Sequence, residues 1–131
     1  HTVLPGMIEK KFGRIINVIG SFEPMNFNSE FAAWGAIAAW AKSLTREVGQ
    51  HGITINCIQP GPVLLGEEAT EEFAQRMATS TLAGKVGTPE HVAHATQFLC
   101  ENDFVTGTCI PVDGGRSIFA PDGIQAGLNS G

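Results

Sequence analysis

The sequence predicts a three-layer α/β fold, a parallel sheet of about three strands flanked by helices. Two observations carry that prediction. The Ile- and Val-rich runs "RIINVIG", "GITINCIQPGPV" and "GTCIPV" are short and bounded by glycine or proline, as strands buried on both faces are. They alternate with longer helical stretches in the order helix, strand, helix, strand, two helices, strand, so each strand is separated from the next by enough chain for a right-handed crossover.

The elements follow in order. The opening segment puts Val3, Leu4, Met7 and Ile8 on one helical face, with Lys10 and Lys11 in its last turn and Gly13 as the expected stop. Arg14 to Val18 is the first strand. After "SFEPMNFN", Ser29 is the expected N-cap of a long helix from about Glu30 to Val48, rich in Ala, Leu and Trp and ended by Gly49. Ile53 to Ile58 is the second strand, broken by the Pro60-Gly61 turn. Two helical stretches follow, "EEATEEFAQRMATSTL" and "TPEHVAHATQFLCEN"; the second carries Thr88 as N-cap, Pro89 in the first turn and Glu90 as an early acid. Gly107 to Val112 is the third strand and stops at Asp113-Gly114-Gly115, where Asp113 is expected to fix the turn. The remainder, "SIFAPDGIQAGLNSG", is Gly-rich without periodicity, so residues 1–115 are expected to form one domain and 116–131 a surface tail.

Composition excludes several function classes. Eight Lys plus Arg against a net charge of −5 give no basic face for nucleic acid. No apolar run reaches the roughly 18 residues of a membrane span, and the N-terminus lacks a signal-peptide pattern, which with three cysteines in no CxxC pair predicts a reduced, cytoplasmic protein. His91 and His94 stand at i and i+3 without a third ligand at metal spacing, so they read as a solvated helix face, and no metal is expected. Trp34 and Trp40 read as packing residues.

Four blocks, "GRIINV", "AKSLTREVGQHGITINCIQPGPV", "GKVGTPEHVAHATQFLCEN" and "FVTGTCIPVDGG", in this order and spacing, resemble the C-terminal half of the short-chain dehydrogenase/reductase family over Met7 to Gly115. The resemblance implies a partial Rossmann-like sheet, an ancestral NAD(P)-dependent carbonyl or alcohol oxidoreduction, and an active site made of a serine after the first strand with Tyr-x-x-x-Lys on the next helix. There the lysine charge lowers the phenol's pKa so that it can exchange a proton with substrate. The 131 residues contain no tyrosine. Anchored on "AKSLTREVG", the Tyr and Lys positions fall on Glu30 and Trp34; a register shifted by one turn puts Trp34 and Ala38 there instead. Ser21 is the nearest remnant of the family serine, although the strand register places Gly20 at that position. The family's cofactor-contacting threonine falls on Leu65.

Pro60, Gly61 and Val63 match the family loop beside nicotinamide and equally read as a strand-ending turn. Glu30 reads as a general base or, more simply, as an acid complementing the helix dipole. The glycine-rich turn that cradles the dinucleotide pyrophosphate in the family, whose members use NAD or NADP, has no counterpart here, so no cofactor is expected for the isolated chain. These readings imply an inactive, truncated homologue. The first strand would then carry a bare apolar edge, and Phe31 to Trp40 correspond to the family's usual oligomer face. A homo-oligomer, most simply a two-fold dimer, is therefore expected, or a scaffolding module that pairs with a chain supplying the missing half.

Overall fold

A computed structural model describes residues 2–20, 28–64, 66 and 70–118. Three parallel strands, β1 (Gly13–Val18), β2 (Ile53–Pro60) and β3 (Cys109–Val112), form one sheet in the order β1-β2-β3. Helices α1 (Leu4–Lys10) and α2 (Ser29–Val48) cover one face and α4 (Pro89–Glu101) the other; α3 (Glu71–Ala78) and two short 3-10 turns, Gly49–His51 and Arg116–Ile118, complete the described elements. The expected architecture is the observed one.

The core lies on the α2 side. Ile53, Ile55 and Cys57 of β2 alternate onto that face, where Ala38, Ala41 and Val48 of α2 meet them and Leu4, Met7 and Ile8 of α1 close one end. Alanines at 38 and 41 let the helix approach the sheet closely. On the opposite face Ile58 and Leu99 are fully buried. Each of these large side chains contributes roughly 1.5–3 kcal/mol by leaving water.

Asn56, also fully buried, is satisfied by the segment before β3: its Nδ2 donates to the Val105 carbonyl (2.9 Å) and its Oδ1 accepts from Thr108 N–H (3.1 Å). Beside it, Thr106 Oγ1 accepts from Ile55 N–H (3.0 Å) and Gly107 N–H donates to the Ile55 carbonyl (2.7 Å). A buried amide thus sets where β3 begins, at Cys109 rather than Gly107, whose φ of 75° takes it out of extended backbone.

Other boundaries shift for equally local reasons. Gly13 does not stop α1. Lys11 does, in the left-handed region at φ 53°, while Gly13 opens β1, where a Cβ would come within 2.7 Å of Met7 Sδ and 3.1 Å of Ile53 Cγ1. The cap of α2 is Asn28, whose Oδ1 accepts from Glu30 N–H at 2.9 Å, so Ser29 is the first helical residue. Helix α3 starts only at Glu71, where Thr70 Oγ1 accepts from Phe73 N–H at 3.2 Å. Trp34 packs on the core, but Trp40 is 52% exposed because it points away from the sheet.

The two sheet edges differ. Cys57 N–H donates to the Thr108 carbonyl and Gly61 N–H to the Val112 carbonyl, so alternate peptide groups of β3 face β2, and of the two outward residues, Cys109 and Pro111, the second has no N–H. A proline there blunts β3 as an edge. On β1, Gly13 and Ile19 N–H groups donate toward β2, which turns the peptide groups of Arg14, Ile16 and Val18 outward with no proline among them. Val18 is 61% exposed.

Candidate functional site

In open parallel sheets ligands bind beyond the carboxyl ends of the strands. Here those ends bring together Gly20 after β1, Gln59 to Pro62 at the end of β2, and Asp113 to Ser117 after β3. Gln59 Nε2 donates to the Gly20 carbonyl at 3.5 Å, tying β2 to the end of β1. Gly61 N–H donates to the Val112 carbonyl at 3.0 Å, and a Cβ at Gly61 would lie 2.6 Å from both Cα and Cβ of Asp113, so this turn is pressed against the next strand. The result is a cleft of about 340 Å³ walled by Pro60, Pro62, Met77 and Pro111, with Asp113 and Arg116 as its charges.

Asp113 organises the mouth of this cleft. Oδ1 accepts from Gly115 N–H and Oδ2 from Ser117 N–H, each at 2.9 Å, which builds the 3-10 turn Arg116–Ile118. Burial alone would raise its pKa, yet the Ser117 and Gly115 donors together outweigh that and hold the carboxyl below its ordinary value. Both oxygens are engaged as acceptors of backbone bonds. The carboxylate is a structural anion, held in place by the turn it organises.

Val63 lies on the other side of the same loop. It bridges Gly87, with Gly87 N–H donating to the Pro62 carbonyl (2.9 Å) and Leu64 N–H to the Gly87 carbonyl (3.3 Å). With Pro60, Pro89, Val92 and Ala93 it lines an apolar groove of about 610 Å³ along α4. His91 is exposed, as expected, and also caps α4: its Nδ1 accepts from Thr88 N–H at 2.9 Å and lies 3.2 Å from Thr88 Oγ1. Among the described residues no group of three or more His, Cys, Asp or Glu side chains has metal-binding geometry.

The remaining candidates do not converge on a reaction centre. Ser21 and Leu65 fall outside the described residues. Glu30 is exposed in the first turn of α2. Trp34, one turn on, lays its indole over the end of β1, where a Cβ at Gly20 would come within 2.9 Å of Trp34 Cδ1 and Cε2. A side chain at the position that matches the family serine would therefore press on the indole above it, which has no acid–base equilibrium near neutrality.

These residues do not fit a nicotinamide dinucleotide. The N-terminus of α2 is already closed by Asn28, the approach over Gly20 is filled by Trp34, and the loop between them, "SFEPMNFN", has no glycine to let a phosphate near the backbone. Gln59, Asp113 and Arg116 are the cleft residues that sequence reasoning did not gather. Only the "DGG" run signalled one of them, as a turn.

Comparison with known proteins agrees with the fold. A family profile described as enoyl-(acyl carrier protein) reductase matches residues 1–117. The 3-oxoacyl-[acyl-carrier-protein] reductase FabG of Haemophilus influenzae is 35% identical over 120 residues, covering 86% of this chain and 50% of that protein. The inactive 2-(S)-hydroxypropyl-CoM dehydrogenase 2 of Xanthobacter autotrophicus is 34% identical over 127 residues, covering 87% of this chain and 55% of that one. Among solved structures, ElxO with NADP bound superposes with a TM-score of 0.77 at 25% identity, covering 89% of this chain and 51% of that one. The chain thus spans about half the length of the curated relatives it matches.

Proposed function

We propose, from the premise that this chain belongs to the short-chain dehydrogenase/reductase family, that it keeps the strand-end scaffold of an NAD(P)-dependent oxidoreductase without performing hydride transfer by itself. One observation carries this reading: Trp34 stands over Gly20 where the family relay needs a serine facing a tyrosine, and no tyrosine exists in the 131 residues. The reading accords with a relative at 34% identity that is itself named an inactive dehydrogenase. No described helix is long and apolar enough to cross a membrane, and a cytoplasmic address accords with the family reading.

The test is a titration of the purified chain with NADH and NADPH, followed by assay against carbonyl and alcohol substrates. Nucleotide fluorescence is expected to stay unchanged and absorbance to hold steady. Saturable nucleotide binding together with carbonyl-dependent oxidation would overturn the proposal.

A second reading, a binding module that accepts a further strand, is favoured by the unequal edges. Pro111 closes β3 to pairing, whereas β1 turns the peptide groups of Arg14, Ile16 and Val18 outward with no described strand beside them. The partner is either a second copy, giving a two-fold dimer, or a chain supplying further strands beyond β1. Sedimentation of wild type beside Ile16→Pro distinguishes an edge-mediated assembly, which the proline dissolves, from one through α2, which it leaves intact.

A further inference from the structure

We propose that Cys57 and Cys109 form a reversible dithiol that hydroperoxides close to a disulfide across the sheet. The two residues are direct partners in the β2–β3 register, and the Cys109 thiol lies close enough to perturb that of Cys57. Neighbouring strands run about 4.8 Å apart, inside the Cα separation that disulfides span. Both side chains point to the α2 side of the sheet, so closure needs side-chain rotation and no change of register.

Access separates the two roles. Cys109 is partly exposed and lines a cleft of about 530 Å³ between α2 and β3, bordered by Gly35, Ala38, Ala39 and Lys42, wide enough for a small hydroperoxide. Cys57 is fully buried, and burial, with Cys109 beside it, pushes its thiol up to about 11. Cys109 therefore meets the oxidant and Cys57 resolves. On the far side of Cys57 its β1 partner, Asn17, holds a buried Nδ2 that makes no hydrogen bond of ordinary geometry among the described residues and lies near enough to Cys57 to favour its thiolate. This is a donor ready for negative charge developing on the Cys57 sulfur.

The chemistry balances in two steps. The Cys109 sulfur attacks one peroxide oxygen as its thiol gives up its proton; an S–O bond forms, the O–O bond breaks, and the leaving alkoxide or hydroxide takes that proton to depart as alcohol or water, giving a sulfenic acid. The Cys57 sulfur then attacks the Cys109 sulfur; the S–S bond forms, the S–O bond breaks, and the departing hydroxide takes the Cys57 proton as water. In sum, two thiols and one hydroperoxide yield one disulfide, one alcohol or water, and one further water.

The exposed third thiol, Cys100, is removed by Cys100→Ser so that it cannot compete. Folded protein is treated with hydrogen peroxide, alkylated and weighed intact. Both free thiols are expected to vanish together, the monomer losing the mass of two hydrogens, with a linked Cys57–Cys109 peptide after digestion and full recovery in dithiothreitol. Oxygen addition at Cys109 with Cys57 still alkylatable, or thiol loss only through linked dimers, would overturn the proposal. In the same background Cys57→Ser is expected to let Cys109 run on to sulfinic acid, and Cys109→Ser to leave Cys57 inert until denaturant is added. Oxidation of Cys57 in folded Cys109→Ser protein at the rate seen with Cys109 present would refute the assigned order.

Discussion

A double-mutant cycle on Gly20 and Trp34 tests the geometry on which the proposed lack of turnover rests. Gly20 has no positive φ, so alanine suits its backbone, and in open space Gly20→Ala would stabilise by about 0.4–1 kcal/mol through the unfolded chain. The added methyl, however, would sit within 2.9 Å of two indole carbons of Trp34, an overpacking that costs about 1–3 kcal/mol. In wild type the net expectation is a loss of about 1–2 kcal/mol. Trp34→Ala alone is expected to cost about 2 kcal/mol, less than the 3–5 typical of a fully buried tryptophan because Trp34 is only partly buried. In the Trp34→Ala background the clash is gone, and Gly20→Ala should stabilise slightly, giving a coupling energy of about 2 kcal/mol. Urea unfolding of the four proteins measures it. Gly20→Ala having the same effect in both backgrounds would mean that the indole does not stand over β1, and the explanation of inactivity built on it would fall.

Asp113 makes the fold acid-sensitive. Its folded pKa lies below the ordinary 3.8, so its contribution is fully present above that value and is lost as pH falls through the folded pKa; the difference in urea midpoint between wild type and Asp113→Asn should therefore narrow as pH drops below about 4. A constant difference across that window would contradict the assigned hydrogen bonds. Asn56→Leu should destabilise by about 2–4 kcal/mol, since it strands the Val105 carbonyl and Thr108 N–H inside the fold, with hydrogen exchange quickening at Thr108 before the rest of the sheet. Leu99→Ala, at a fully buried position on the α4 face, should lower stability by about 2–5 kcal/mol. A loss below 1 kcal/mol would mean that α4 is not seated on the sheet.

The architecture was legible because it depends on local pattern. Apolar runs such as Ile53 to Ile58 admit only a strand buried on both faces, and the helical stretches between the runs force parallel crossovers. Thr88 and Asp113 were readable for the same reason, since a cap or an Asx turn bonds within a few residues of itself. The absence of the family tyrosine from these 131 residues was readable from composition alone.

What the sequence could not decide were contacts between residues far apart along the chain. Gly20 and Trp34 are fourteen positions apart and meet only because α2 lies across the end of β1. Asn56 finds its partners about fifty residues on, and Cys57 and Cys109 face each other only through the β2–β3 register. Glu30 and Trp34 were paired by spacing on one helix, but tertiary packing gave them different surroundings, solvent for the carboxylate and the core for the indole. Periodicity records which face of an element is apolar; it holds no record of which other face that one will meet, and the chemistry of this strand-end site was decided by that meeting.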